Sequence, residues 1–274
     1  IGIGNFNSGT FVYQGIVGNE SGVGALQNQN DIGISPCGKH IISANFRSQS
    51  TRKVVHYDTP WSYTQSVSTT GTSGVAAAVA GWCDNGMKTF GAGFTGAFTI
   101  NQLTTRWDFP NTSESQFSST SRSSIPGNTG SAMLCARFSQ DGLNFLYGVN
   151  SGTSQNLYHV TLLQPYDFTG CSLVSNITLG TNSTYYQGCA WSYDGKYIFA
   201  GYAIALNNSN CCNVFECPTP YDTSNATRVG NFAMSSVTSN ALNGLDYAYD
   251  PVSRYHYLIA CTSSSSDVYV RRWN

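Results

Sequence analysis

Short apolar runs alternate with polar turns along the whole chain, in a pattern that repeats about every fifty residues. Each repeat contains a five-residue segment that begins with an aromatic or aliphatic residue and, in four copies, ends with Gly. The copies are ISPCG at 34–38, WCDNG at 82–86, FSQDG at 138–142, WSYDG at 191–195 and YAYDP at 247–251. Because Gly and Asp tolerate the positive φ angles of tight turns, each copy predicts a hairpin between two strands.

Two further runs complete each repeat, and the third copy shows them most clearly. The turn is followed by LNFLYGVN at 143–150, a polar segment, and then NLYHVTLL at 156–163. A second turn, Pro165-Tyr166-Asp167, leads into a fourth run, CSLVSNIT at 171–178. A unit of four short antiparallel strands, repeated at this period, is the signature of a propeller blade.

The chain is therefore predicted to be an all-β protein: a single five-bladed β-propeller of four-stranded antiparallel blades over residues 1–274. Blades pack face to face, which explains strands that are apolar on both sides, such as LNFLYGVN. The predicted blades are 28–70, 74–122, 131–178, 186–233 and 241–274 together with 10–18. The fifth unit reaches its end before a fourth strand, so we expect the N-terminal run TFVYQGIVG at 10–18 to pair beside 267–273 and close the last blade.

The repeat resembles the β-propeller repeats of phage and virus tail-fibre proteins and of extracellular surface proteins. In that pattern Ser-x-Asp-Gly precedes three apolar residues, and a strand ending in Tyr-x-Leu precedes Thr-Pro-Trp/Tyr-Asp. The segment FSQDGLNFLYGVNSGTSQNLYHVTLLQPYDFTG at 138–170 carries the resemblance, which extends to all five units. The chain departs from the pattern in its cysteines and in Pro251. The resemblance implies a propeller that is displayed on a virion or cell surface.

Composition agrees with a protein that is displayed outside the cytoplasm. Only 10% of the residues are charged, 13% are aromatic, and the net charge is −1. Ser, Thr, Asn and Gly supply most of the polar surface, which suits an extracellular or virion-surface location. The chain has no basic run, so nucleic acid is not an expected partner. It also has no apolar stretch of about 18 residues, so membrane insertion is not expected.

Nine cysteines are many for a chain of this size, and Cys211, Cys212 and Cys217 crowd one segment. Two interpretations stay open: these three form disulfides in an oxidising compartment, or they are small apolar residues in buried strands. No Cys-x₂-Cys pair or nearby His accompanies them, so no metal site is predicted.

No catalytic group is predicted, and the chain is expected not to be an enzyme and to need no cofactor. A glycosidase needs two carboxyl groups roughly 5–10 Å apart. The chain has only three Glu, and most Asp residues recur at turn positions, where they are expected to cap the turns. Those residues are Asp84, Asp108, Asp141, Asp167, Asp194, Asp222 and Asp250.

Ligand contacts are expected from the variable loops between second and third strands, on the face opposite the regular turns. The candidate ligand-binding residues are Arg47, Arg52 and Asn207, whose side chains suit hydrogen bonding to sugars. Six sequons offer possible N-glycosylation sites, a number that chance alone explains. They begin at Asn19, Asn111, Asn176, Asn182, Asn207 and Asn225.

Three functions compete at this level. The first is a non-enzymatic adhesion or recognition module for a cell-surface glycan or protein. The second is a structural subunit or decoration of an extracellular filament or capsid, whose partners are copies of itself. The third is a glycan-cleaving propeller enzyme, which the lack of a catalytic constellation disfavours.

Overall fold

The structure, a computed structural model, describes most of the chain. The described residues are 12–17, 29–45, 51–61, 66–72, 78–93, 97–107, 115–128, 132–150, 156–178, 186–205, 207–208, 211–234, 240–262 and 268–273. Within them the chain forms twenty β-strands and two single-turn 3₁₀ helices, Asp84–Gly86 and Arg122–Ser124. No helical segment among these residues has the length and apolar character that crossing a bilayer requires.

The strands form five antiparallel sheets of four, so the predicted fold class, a five-bladed β-propeller, is confirmed. Blade 1 contains β2 (Gln29–Ile34), β3 (His40–Asn45), β4 (Thr51–Tyr57) and β5 (Ser66–Thr72). Blade 2 contains β6 (Val79–Cys83), β7 (Lys88–Ala92), β8 (Phe98–Gln102) and β9 (Ser115–Thr120). Blade 3 contains β10 (Ala132–Phe138), β11 (Asn144–Asn150), β12 (Asn156–Thr161) and β13 (Ser172–Thr178). Blade 4 contains β14 (Tyr186–Trp191), β15 (Tyr197–Tyr202), β16 (Cys212–Glu216) and β17 (Thr227–Phe232).

The fifth blade combines the two ends of the described chain. It contains β18 (Leu242–Tyr249), β19 (His256–Thr262), β20 (Val268–Trp273) and, outermost, β1 (Val12–Val17). Strand β1 runs antiparallel to β20, with Val17 opposite Val268 and Val12 opposite Arg272. That the stability of the whole propeller depends on this pairing stays a prediction, which a truncation tests.

The hydrophobic core lies between blades rather than in one central mass. Each of five apolar clusters joins two neighbouring blades. Successive residues of a strand point to opposite faces, so Ile41 packs in the cluster shared with blade 5 and Ile42 in the cluster shared with blade 2. In blade 3, Phe145 packs in the cluster shared with blade 2 and Leu146 in the cluster shared with blade 4. This arrangement explains why the strands lack a polar face.

An aromatic clasp explains why both turn signals recur. In four blades the ring of an aromatic residue in the third-to-fourth turn lies over the glycine of the first-to-second turn. The backbone N–H of the same aromatic residue donates to the carbonyl of that glycine at 2.8–3.2 Å. The pairs are Trp61 with Gly38, Trp107 with Gly86, Tyr166 with Gly142 and Tyr221 with Gly195. At Gly86, φ is +80° and an added Cβ would lie 2.2–2.4 Å from ring atoms of Trp107. Glycine is therefore required there by both backbone conformation and contact.

Five of the seven turn aspartates cap their turns, as their recurrence predicts, while Asp84 pairs with Lys88 and Asp108 lies outside the described residues. The Oδ1 atom of Asp141 accepts a hydrogen bond from the Leu143 N–H at 3.0 Å, and Asp194 accepts one from Lys196 at 3.2 Å. The side chain of Asp250 accepts the N–H of Val252 in the same way. These local bonds hold the turns that surround one end of the propeller axis.

Candidate functional site

A cavity of about 190 Å³ opens on the propeller axis, on the face that carries the first-to-second turns. We call it the axial cup. Its lining is Ile34, Pro36, Trp82, Cys83, Asp84, Asn85, Gly86, Trp107, Arg137, Phe138, Ser139, Gln140, Tyr166, Trp191, Ser192, Tyr193, Asp246, Tyr247, Ala248 and Tyr249. Every blade contributes to it, because the inner strands of all blades end at this opening.

The five-residue turn segments build the cup wall in two layers. The first residue of each segment forms the deeper layer: Ile34, Trp82, Phe138, Trp191 and Tyr247. The third residue of each segment forms the rim: Pro36, Asp84, Gln140, Tyr193 and Tyr249. Since an aromatic or aliphatic residue opens every copy of the repeat, the fivefold repetition in the sequence becomes a ring of apolar side chains around one axis.

Aromatic contacts hold the wall in place. The rings of Trp82 and Trp107 meet edge to face with centroids 5.2 Å apart, and Tyr193 and Tyr249 lie 5.5 Å apart on the rim. Tyr193 is 56% exposed, whereas Trp191 is only 6% exposed. The buried indole N–H of Trp191 has no hydrogen-bond acceptor among the described residues. The cup thus offers an exposed aromatic rim above a buried aromatic wall.

The floor of the cup is a buried ion cluster. The Nη1 and Nη2 atoms of Arg137 donate to the two carboxylate oxygens of Asp31 at 2.8 and 2.9 Å, a bidentate geometry. The Nε atom of Arg137 lies 3.0 Å from Oδ1 of Asp246, whose Oδ2 accepts the N–H of Ile34 at 2.8 Å. Asp31 also accepts the N–H of Ala80 at 3.3 Å. The cluster therefore joins blades 1, 2, 3 and 5 on the axis.

Burial and the attraction between opposite charges shift the pKa values of this cluster in opposite directions. Burial raises the pKa of Asp31 to about 6, although Arg137 partly offsets that rise. Burial also raises the pKa of Asp246, again against the attraction of Arg137. For Arg137 burial disfavours the charged form, but Asp31 and Asp246 outweigh burial and raise its pKa well above the usual value. The guanidinium of Arg137 therefore stays protonated between the two carboxylates.

The two cluster residues nearest the cup break the sequence repeat. Arg137 and Asp246 each stand directly before a five-residue turn segment. Gly33, Gly81 and Ala190 hold this position in the other blades. A Cβ on Gly33 would lie 3.0 Å from the Cα of Gly81, so these backbones approach too closely for larger side chains. Because Gly33, Gly81 and Ala190 have little or no side chain, the guanidinium of Arg137 and the carboxylate of Asp246 occupy the space at this level of the axis. Alignment of the five inner strands would have revealed both charged residues, which reasoning from the turns missed.

The candidate ligand-binding residues from the sequence do not line the cup. Arg47 lies outside the described residues. Arg52 lies in β4 rather than in the variable loop, is 1% exposed, and donates through Nη1 to Thr89 Oγ1 of blade 2 at 2.8 Å. Asn207 is exposed in the second-to-third connection of blade 4, on the face opposite the cup. The placement of Arg52 makes it an interblade contact.

The structure places Cys211, Cys212 and Cys217 in the interior, with no disulfide bond among them. All three side chains are buried, and all nine cysteines of the chain are free thiols in the structure. Cys211 and Cys212 belong to the apolar cluster between blades 4 and 5, and Cys217 to the cluster between blades 3 and 4. Burial raises the pKa of Cys211 and of Cys217 to about 12, so both stay protonated. The alternative of small apolar core residues is the one that the structure supports.

The sequons divide between described and undescribed parts of the chain. Asn176, Asn207 and Asn225 are exposed. Asn19, Asn111 and Asn182 lie outside the described residues. Glycosylation at these positions stays a prediction.

The histidines contact neighbouring side chains. His159 is buried between Thr223 and Asn144, with nitrogen–oxygen distances of 3.0 Å to each. The Nδ1 atoms of His40 and His56 lie 2.6 Å apart across β3 and β4, and burial lowers the pKa of His40 to about 4. Among the residues with described positions, no three His, Cys, Asp or Glu side chains come together as metal ligands.

Similarity to known proteins is found at the level of solved structures. No family model matches the chain, and no curated protein matches it. Among solved structures, the β-propeller domain of Cps50 (Swd1) from Myceliophteria thermophila is similar, with a TM-score of 0.45 and 11% sequence identity. The match covers 88% of this chain and 82% of that chain. The similarity is one of propeller architecture.

Proposed function

We propose that this protein is a non-enzymatic recognition module of an extracellular or virion surface, and that it binds a glycan in the axial cup. The observation that carries the proposal is the cup itself, an aromatic wall with polar groups spaced along it. Ligand sites are typically concave and apolar with a few fixed polar groups. Sugar rings present flat C–H faces that stack on aromatic rings and hydroxyls that bond to polar side chains.

The polar side chains of the cup suit a ligand that carries hydroxyl groups. Ser139, Gln140, Ser192 and Asn85 line it beside the rings. The low charge of the whole chain and its hydroxyl-rich composition support display in an extracellular setting.

Binding is a better account of the cup than glycan cleavage. Two carboxylates line it, and each is held by a cation: Asp84 by Lys88 and Asp246 by Arg137. Cleavage requires one carboxyl group that carries a proton at working pH and one that is free to act as base or nucleophile. Because each carboxylate is already engaged by a neighbouring cation, neither is free to act as the base or nucleophile.

A glycan array is expected to give binding that depends on the exposed rim. Replacing Tyr193 with Ala removes an aromatic surface that is 56% exposed, so folding is preserved while stacking is lost. We expect affinity for the best glycan to fall about tenfold, which corresponds to about 1.4 kcal/mol. Isothermal titration calorimetry measures the change.

The matched control is Val252→Ala, which removes another exposed side chain on the same face but outside the cup. It is expected to bind like the unmodified protein. An array that stays blank, or equal affinities for the two variants, contradicts the proposal. Release of a reducing sugar during the assay would instead favour the enzyme alternative.

A further inference from the structure

The charges of the axial cup do not balance. Asp84 on the rim pairs with Lys88, so this pair is neutral overall. On the floor, however, Asp31 and Asp246 share the single guanidinium of Arg137. Two carboxylates against one cation leave the floor with a formal charge of −1.

The part of the floor nearest the opening is the negative part. The side chain of Asp246 is 13% exposed, whereas those of Arg137 and Asp31 are 5% and 0% exposed. Arg137 directs both terminal nitrogens at Asp31 and only Nε towards Asp246, so the deeper carboxylate accepts two hydrogen bonds from the guanidinium while Asp246 makes a single ion-pair contact with it. Because the floor is shielded from water, its charge is screened less than a surface charge would be.

The turns around the opening add to this negative field. Among the described residues of these turns and their flanks, eight acidic side chains oppose six basic ones. The acidic residues are Asp58, Asp84, Asp141, Asp167, Asp194, Glu216, Asp222 and Asp250, and the basic ones are Lys39, Lys88, Arg106, Lys196, Arg254 and Arg272. A ligand that approaches this face therefore meets a negative potential before it reaches the cup.

The aromatic wall of the cup also favours a positively charged ligand. The faces of aromatic rings carry negative charge density and attract cations within about 6 Å of the ring centre. Trp82, Trp107, Trp191, Tyr193 and Tyr249 all line the cup. A neutral ligand gains stacking from these rings, and a cationic ligand gains stacking, the cation–π attraction and the charge of the floor.

We propose that the sugar unit that enters the axial cup carries a protonated amine, so that the ligand is a glycan with free amino groups. This inference rests on the proposed function, since it names the class of glycan that the same site prefers. The ammonium group lies towards Asp246, and the sugar ring lies against the aromatic wall. A lysine side chain of a protein has the same amine on a chain without a ring, and the experiment separates the two sources.

The test compares two oligosaccharides that differ only at nitrogen. A hexamer of β-1,4-linked glucosamine and the fully N-acetylated hexamer are titrated into the protein by calorimetry at pH 7.0. The amine-bearing hexamer is expected to bind about tenfold more tightly. In Asp246→Asn the formal charge of the floor is zero, so the preference between the two hexamers should vanish.

Asp167→Asn is the matched control, because it removes a turn carboxylate that is on the same face but does not line the cup. It should keep the tenfold preference. Should Asp246→Asn fail to fold, the comparison of the two hexamers on the unmodified protein still decides the matter. Equal affinities overturn the inference and leave the proposed function standing.

Three further outcomes separate the inference from its alternatives. Binding of a tri-lysine peptide without binding of either hexamer overturns it in favour of a protein ligand. If neither hexamer binds while a neutral glycan on the array does, the inference fails and glycan recognition survives. If no glycan binds at all, both proposals fail together.

Discussion

Replacement of Arg137 with Met is expected to lower the free energy of unfolding by about 3–5 kcal/mol, the largest effect of any single substitution considered. The change removes the one cation between Asp31 and Asp246, which are held on the axis by four blades. Two buried carboxylates are then left uncompensated. Thermal unfolding followed by circular dichroism should show a melting temperature lower by on the order of 10 °C.

The deficit of Arg137→Met should depend on pH. Without the guanidinium, burial and mutual repulsion raise the pKa values of Asp31 and Asp246 further above their unfolded values. The native state of the variant then binds more protons than the unfolded state, so its stability falls as pH rises. We expect a larger deficit at pH 8 than at pH 5.

Arg228→Met is the matched control, because Arg228 is exposed on the outer strand β17. Its effect is expected to stay within about 0.5 kcal/mol. If the two variants unfold at the same temperature, the axial cluster does not hold the blades together.

Removal of residues 1–18 is expected to destabilise the whole propeller. Strand β1 forms the outer edge of blade 5 by pairing with β20, and its loss leaves that blade with three strands and an open edge. Because neighbouring blades share their apolar clusters, weakening blade 5 also weakens its contacts with blades 1 and 4. Lower melting temperature and greater aggregation are the expected results, measured by calorimetry and light scattering.

The control truncation removes residues 1–11 and keeps β1. It should melt like the full chain. If the truncation of residues 1–18 also melts like the full chain, the N-terminal strand does not close the propeller.

The fold was predictable because the features that define it repeat. Turn glycines such as Gly86 and clasp aromatics such as Trp107 recur at fixed offsets, and five copies of a weak signal together are strong. Apolar residues on both faces of a strand, such as Ile41 and Ile42, also follow directly from the stacking of blades.

The candidate site was harder to predict, for two physical reasons. Residues that are far apart in sequence meet only at the axis, as Asp31, Arg137 and Asp246 do. Side chains at equivalent repeat positions, such as Trp191 and Tyr247, resemble core residues until the five turns are arranged in a ring. Arg52 shows the opposite error, since a residue that the sequence assigns to a binding loop is in fact buried. Its place in β4 puts the side chain between blades 1 and 2.

The central claim is that the ligand binds in the axial cup, and the structure of a complex tests it most directly. Crystals of the protein with its tightest-binding glycan should show a sugar ring between the aromatic side chains above Asp246. A glycan bound instead on the opposite face, among the loops between second and third strands, would contradict the claim.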